Sequence, residues 1–454
     1  MKHHRLLAYS SAGIGALLLA GLAMAQTKPA SEADTPIPRT PVYHTDPGQP
    51  IDSRAPTKAD DRPAFAQQTD APYDHPTDFK VTEMTGALQA PWAAAVLPGG
   101  DVLVTERLPG AFRIVGKDGS LSAPLSGLDG LHVTTPQTGL LDVVLDPDFA
   151  RNRTIYFTYF TYDEKIVGNT AIARAVLDAR AGALRDVKVL MQTLPLFPND
   201  TTLAAGTKSG GRIAVGPDGY LYVTIGDRDN AGIRPWGVAQ VLDTHLGKVI
   251  RITKDGKPAP GNPFIGKTIA EPGIKALPEI WAYGLRSPEG LAFAPNGDLY
   301  EVEHGPRGGD ELNLIRKGVN YGWPLVTHGV DYSGKPVGKG ASTGPGMEEP
   351  VYYWSPSTAP SGLAFYRGNN PAWKDSVFVG MLNGRMLSRL TPEGQARWWA
   401  RKPCWPDMKA RIRDPSARWA GRGDLCADRQ RRHRDQRQDP ADIAPAQADA
   451  RISH

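Results

Sequence analysis

The chain has 454 residues, with 49 glycines, 41 prolines and a charged fraction of 22%. It is too long for one small domain, and its composition suits many short strands joined by turns. A net charge of only +4 gives no sign of a nucleic-acid surface. The two cysteines, Cys404 and Cys426, both lie near the C-terminus. Residues 26–397 therefore hold neither a thiolate nucleophile nor a Cys-based zinc site.

Residues 1–25 read as a secretory signal. Lys2, His3, His4 and Arg5 form the charged region, Ala12–Ala23 is a short apolar run, and Ala23-Met24-Ala25 is a small-residue cleavage site before Gln26. The run is short for a spanning helix. Export places the mature chain in a periplasm, and peripheral attachment to the inner membrane is compatible with this. Residues 26–77 are rich in Pro, Asp, Thr and Ala without periodicity and are expected to be a disordered or wrapping leader.

From residue 78 to 397 the pattern changes to short apolar runs punctuated by turns. Pro98-Gly-Gly-Asp-Val-Leu-Val-Thr-Glu106, Gly216-Pro-Asp-Gly-Tyr-Leu-Tyr-Val-Thr-Ile-Gly-Asp227 and Ala294-Pro-Asn-Gly-Asp-Leu-Tyr-Glu-Val-Glu303 are three copies of one phrase, a tight turn followed by a strand. Asp146-Pro-Asp-Phe149 followed by Thr154-Ile-Tyr-Phe-Thr158 is a looser fourth. The copies recur at multiples of about 40 residues, the length of one four-stranded blade, so an all-β propeller of antiparallel blades is expected.

Residues 398–454 break the pattern. Trp398–Pro406 shows no strand alternation, and after Asp414 the chain is rich in Arg, Asp, Ala and Gln. The stretch reads as a frame-shifted last blade, with residues 407–414 as an island still in frame, or as a genuine disordered basic tail.

The densest chemistry lies in the middle of the chain. Gly284-Leu-Arg-Ser-Pro-Glu-Gly290 is followed by Gly305-Pro-Arg-Gly-Gly-Asp-Glu-Leu-Asn-Leu-Ile315 and then Asn320-Tyr-Gly-Trp-Pro324. Arg286 offers a planar fork for a carboxylate. The loop from His304 to Glu311 sets main-chain carbonyls beside carboxylates, the material of a calcium site. Together these pieces resemble the soluble quinoprotein sugar dehydrogenases, six-bladed propellers that bind pyrroloquinoline quinone (PQQ) and calcium.

The resemblance implies a six-bladed propeller whose last blade is disrupted here. It implies PQQ held by Arg286, Ser287, Arg411, Arg413, Asn383 and Trp354, the last an aromatic wall of the sugar pocket. It also implies calcium on the carbonyls of Gly305 and Pro306, and catalytic places for Lys208, Gln137, Asp310 and Glu311, the last two in the polar network around the metal. Three positions depart from the family pattern. Ser287 stands where Asn is usual, Asn383 where the glucose enzymes carry Lys, and Lys208 where their catalytic His precedes the Gly-Gly-Arg phrase. His245 belongs to a structural phrase and is no obvious substitute.

The departures resemble the sorbosone dehydrogenase branch, which oxidises an aldehyde sugar to an acid. The resemblance thus implies oxidation of an aldose or L-sorbosone by hydride transfer to PQQ, with electrons passed to a respiratory quinone or cytochrome and no nucleic-acid partner. A calcium-dependent sugar lactonase and a non-catalytic binding propeller stay open. Nicotinamide chemistry lacks its Gly-x-Gly-x-x-Gly turn.

Overall fold

A computed structural model describes residues 48–50, 52, 54–65, 68–72, 81–107, 110–129, 139–162, 166–195, 197–198, 208–228, 237–269, 273–393, 398–404, 410–416 and 426–430. The expected signal segment, the first part of the leader, Gln137 and the extreme C-terminus lie outside these residues. No helix among the described residues is long and apolar enough to cross a membrane.

The described chain is built from antiparallel sheets whose strands follow one another in sequence. The first sheet holds β1 (Pro91–Val96), β2 (Val102–Glu106) and β3 (Ala111–Val115). The second holds β4 (Leu140–Leu145), β5 (Thr154–Tyr162), β6 (Ile166–Asp178) and β7 (Ala183–Gln192), with β8 (Phe197–Pro198) added on β6. A single helical turn, α1 (Phe149–Asn152), joins β4 to β5. The third holds β9 (Gly210–Val215), β10 (Leu221–Ile225), β11 (Lys248–Ile252) and β12 (Ile280–Tyr283). The fourth holds β13 (Pro288–Phe293), β14 (Leu299–Glu303), β15 (Asp310–Ile315) and β16 (Tyr352–Trp354). The fifth holds β17 (Pro360–Phe365), β18 (Val377–Met381), β19 (Leu387–Glu393) and β20 (Trp398–Cys404). A two-stranded ribbon follows, β21 (Arg411–Ser416) with β22 (Cys426–Gln430).

The repeated turn phrases are the hairpins between the first and second strands of a sheet. The Gly100, Gly219 and Gly297 amides donate to the carbonyls of Leu97, Gly216 and Ala294. All three glycines have φ between +81° and +94°, a conformation that costs a residue with a Cβ.

The first strand of each sheet packs on the first strand of the next, in the closed cycle β1, β4, β9, β13, β17, β21 and back to β1. They surround an axial cavity of about 290 Å³ lined by Ala94, Asp142, Arg212, Leu291, Leu363 and Asp414. These inner strands are buried almost throughout, whereas the outermost β7 is mostly exposed.

Among the described residues the propeller has five blades of three to five strands, not the six expected. The sixth place in the ring holds, among the described residues, the β21–β22 ribbon. The sequence around and beyond β22 lacks the alternating apolar residues that would build outer strands.

One further expectation changes. Trp398–Cys404, which shows no strand pattern, is the fourth strand of its blade, paired with β19 from Leu387↔Cys404 to Glu393↔Trp398. Of the two states expected of the leader, its described part between Arg54 and Pro72 takes the wrapping one and is docked. Thr57, Lys58, Asp61, Gln68 and Ala71 all hydrogen-bond to residues between Thr327 and Ser355.

One ion cluster ties the ring together. Arg212 Nη1 lies 3.2 Å from both Asp142 and Asp414. Its Nε donates to the Glu289 carbonyl and its Nη2 to the Arg413 carbonyl. Asp414 accepts from the Ala94 amide, and Asp142 from that of Ile213. Strands β1, β4, β9, β13 and β21 thus share one buried guanidinium. Asp414, on β21, closes the ring.

Candidate active site

A second cavity, of about 230 Å³, opens on one end of the ring, and its lining includes Lys208, Asp227, Arg286, Pro306, Trp323 and Tyr332. Arg286 follows β12 and is 4% exposed. Its Nη1 donates to the carbonyls of His304 (2.9 Å) and Gly305 (2.8 Å). Its guanidinium carbon lies 5.2 Å from the Trp323 ring centre, a cation–π distance. The Trp323 indole N–H donates to Asp227 Oδ2 at 2.7 Å, and Lys208 Nζ lies 3.6 Å from Asp227 Oδ1.

Lys208 therefore reaches the cleft at the position expected for the base, but as one half of an ion pair. Its backbone is left-handed, with φ of 44°. Its carbonyl sits where a Cβ on residue 226 would be, so Gly226 must be glycine. Asp227 is the site residue sequence reasoning overlooked. The only local signal was its place at the end of the phrase that starts at Gly216.

Three of the expected cations bear on one point. His304 is partly buried, and its Nε2 donates to the Pro360 carbonyl at 2.7 Å. Burial, and then the charges of Arg413, Arg286 and Arg411, push its pKa down to about 3, so it is neutral at working pH. Arg413 Nη1 donates to Glu289 Oε2 (3.1 Å) and to the Ser361 hydroxyl (3.2 Å). A fourth arginine, Arg107 just after β2, joins this group. Burial and then the charge of Arg413 push it down to about 10, against the pull of Glu289. A lone Arg after a strand carries no local signature, and the sequence did not single it out.

Ser287 does not join the cations. Its hydroxyl donates to Glu289 Oε1 at 3.3 Å and its amide to Glu303. Its role is to hold Glu289, the counter-charge of Arg413.

The loop between β14 and β15 is held from within. Asp310 accepts from the Gly305 amide (2.9 Å), the Ser357 hydroxyl (2.6 Å) and the amides of Thr358 (2.7 Å) and Ala359 (2.8 Å). Burial pushes its pKa up to about 6, and those hydrogen bonds oppose the rise. Asp310 thus staples the loop to the next blade and has no oxygen left for the catalytic place expected of it.

For calcium the chain's own donors are incomplete. The Gly305 carbonyl already accepts from Arg286, and Asp310 is consumed. No group of three His, Cys, Asp or Glu among the described residues could hold a metal. Pro306 does line the cleft, but the loop by itself is no calcium cage. The arginines do fit a small polycarboxylate such as PQQ: the charges of three guanidinium groups bear on a neutral imidazole, and a fourth, Arg107, bears on Arg413.

Three other expected residues lie elsewhere. Glu311 is not in the cleft. With Glu301 and Glu303 it shares the single amide of Asn313, and burial pushes it up to about 7. Trp354 is 2% exposed and packs in the blade core with Leu312, Leu363 and Tyr352, so it walls no sugar pocket. Its indole N–H has no partner among the described residues. The period of a strand does not reveal which of its aromatics the neighbouring blade will cover. Asn383, on the turn after β18, is tied by its amide to the Thr358 carbonyl, beside the segment stapled by Asp310. His245 is structural as read. Its Nδ1 accepts from the Leu194 amide, and its Nε2 faces Glu279 at 3.3 Å.

Residues 88–429 match the family model described as glucose / sorbosone dehydrogenase. The aldose sugar dehydrogenase YliI of Escherichia coli is 38% identical over 323 residues, covering 70% of this chain and 82% of that protein. Quinoprotein glucose dehydrogenase B of Acinetobacter calcoaceticus is 30% identical over 54% of this chain and 52% of its own length. Among solved structures, the soluble aldose sugar dehydrogenase of Escherichia coli in its apo form superposes with a TM-score of 0.63 at 37% identity, covering 72% of this chain and 90% of that one. The PQQ-bound aldose sugar dehydrogenase of Streptomyces coelicolor does so with a TM-score of 0.58 at 30% identity, covering 74% and 86%.

Proposed function

The chain belongs to the glucose/sorbosone dehydrogenase family, and from that premise we propose that it is a quinoprotein that oxidises an aldehyde sugar of the L-sorbosone type to the acid. The observation that carries this reading is the convergence of Arg286, Arg411 and Arg413 on the neutral His304, with Arg107 beside Arg413 and a cleft walled by Trp323. That is a site for the carboxylates of PQQ. The relative solved with PQQ bound supports the choice of cofactor.

When bound, PQQ would supply the two-electron acceptor for hydride from the sugar carbon. The remaining work falls to the chain. A hydrated aldehyde is a geminal diol, and loss of hydride from its carbon with a proton from one hydroxyl yields the acid directly. Lys208 and Asp227 are the proton-handling pair. The carboxylate accepts the hydroxyl proton, and the ammonium 3.6 Å away orients it. Arg286, which lies over the Trp323 ring, would hold a carboxylate of the quinone, and the neutral His304 adds no charge that would repel the guanidinium groups. The main-chain carbonyls of Gly305 and Pro306 would contribute to holding a calcium ion, which would supply Lewis-acid polarisation of the quinone. The β21–β22 ribbon is the remnant of a sixth blade. The mature chain works outside the cytoplasm and passes its electrons to a respiratory acceptor at the membrane.

Lys208→Met is expected to lower turnover by about 10²–10⁴-fold with little change in PQQ affinity. Asp227→Asn, which keeps an acceptor for Trp323, is expected to match it, and the double variant to add little, because the two act as a unit. Wild-type turnover in Lys208→Met removes the lysine from the reaction. The sugar assignment is tested with dye-linked kinetics on L-sorbosone, glucose and other aldoses. A kcat/KM for glucose above that for L-sorbosone contradicts the sorbosone branch.

A further inference from the structure

Residues 54–65 cross the fourth blade and sit on the loop that carries Gly305 and Pro306. The Thr57 amide donates to the Ser355 hydroxyl at 3.0 Å. A Cβ on Gly308 would meet the Thr57 side chain at 2.8 Å and Ser355 Oγ at 3.2 Å, so the segment presses directly on the loop. The loop is in turn paired to residue 330 by two main-chain bonds of 3.0 Å, between Arg307 and Val330.

Two residues from that rung, His328 is enclosed, its side chain 1% exposed. Its Nδ1 faces both oxygens of Asp61 at 3.0 and 3.1 Å. Its Nε2 lies 3.3 Å from Glu349, and its ring stacks on Tyr353 at 4.0 Å. With acceptors on both nitrogens, the ring bonds all its neighbours only as an imidazolium. The Ser342 hydroxyl, which donates to Asp61 at 2.5 Å, also accepts from Lys58.

We infer that residues 54–65 are a strap, and that Asp61, acting through His328, is a positioning residue for the Gly305–Gly309 loop of the active site. Only the consequence for PQQ rests on the quinoprotein reading above. The docking itself does not.

The groups facing His328 are Asp61 on the strap, Glu349 before β16, Glu311 on β15 and Tyr353 on β16. Burial alone would lower its pKa. The hydrogen bonds to Asp61 and Glu349 and the charge of Glu311 outweigh that and push it up to about 9. A raised pKa in the docked state means that the pin is at full strength below the ordinary histidine value of 6.5, and that it is lost as pH rises through about 9. Burial and then Asp61 push the Tyr353 phenol well up, so it does not titrate in that range.

Limited trypsin digestion of the full chain tests this, because Arg54 and Lys58 lie on the strap and Arg307 lies on the loop. In the wild type all three are expected to be protected at pH 7 and cut progressively as pH passes 9. In Asp61→Asn they are expected to be cut at pH 7 about tenfold faster, with the sheet signal in circular dichroism unchanged. His328→Gln is expected to remove the pH dependence. PQQ added with calcium is expected to bind Asp61→Asn about tenfold more weakly than wild type. A strap as protected in Asp61→Asn as in wild type overturns the pin. A released strap with Arg307 still protected, or with wild-type PQQ affinity, overturns the positioning role. If the wild type itself fails to bind PQQ, the quinoprotein reading falls, and protection of Arg307 alone decides the strap.

Discussion

Replacing Arg212 with methionine is expected to destabilise the fold by about 3–5 kcal/mol, the cost of leaving a buried ion cluster without its cation. Arg212 bonds both Asp142 and Asp414, and those two carboxylates sit on strands β4 and β21 of the ring. Burial pushes Asp142 up to about 6, with the charge of Asp414 adding to the rise, even with Arg212 beside it. Without Arg212 the two acids repel each other in the interior. A group whose folded pKa is raised favours folding when protonated, so the deficit should shrink as pH falls from about 7.5 towards about 5. Asp414→Asn keeps an acceptor for the Ala94 amide and should cost less. Urea unfolding at the two pH values checks this. An Arg212→Met variant as stable as wild type would mean that the cluster does not hold the ring.

Arg286→Ala is expected to weaken PQQ binding by about 10²-fold, or ~3 kcal/mol at about 1.4 kcal/mol per tenfold, the worth of charge-assisted hydrogen bonds in a buried site. Arg286→Lys should recover only part of this, because an ammonium cannot fork across a carboxylate. The same guanidinium bonds the carbonyls of His304 and Gly305, so some loss will come from a looser loop. Thermal melting of the free proteins separates that effect. PQQ affinity equal to wild type in Arg286→Ala would remove the arginine from the cofactor site.

Local features were legible and distant ones were not. The Pro-Asp-Gly phrases gave the hairpins because tight turns are encoded by the residues that make them. The propeller followed from their repetition. The loss of alternation in the C-terminal stretch was legible too, and among the described residues the last place of the ring holds two strands. Arg286 and Arg413 came from the resemblance; the structure bonds Arg286 to the His304 carbonyl and Arg413 to Glu289 and Ser361. Trp354 and Ser287 were misplaced because the strand and turn patterns do not say which neighbour covers a side chain.

The docked leader shows the same limit most plainly. Its Pro- and Asp-rich composition resembles a disordered linker. Its bonds are instead to residues 267 to 298 positions away, from Asp61 to His328 and from Thr57 to Ser355. No local pattern records them. Lys208 is an intermediate case. Its unusual place was visible in the sequence, but its partner Asp227 appeared only when β9 and β10 came together.

The most direct test is a spectral titration of the purified chain with PQQ, with calcium and with EDTA, followed by L-sorbosone or glucose in the absence of any nicotinamide. Saturable binding that needs calcium, and bleaching of the quinone band on adding sugar, are the expected results. No saturable binding of PQQ in the presence of calcium would contradict the quinoprotein function.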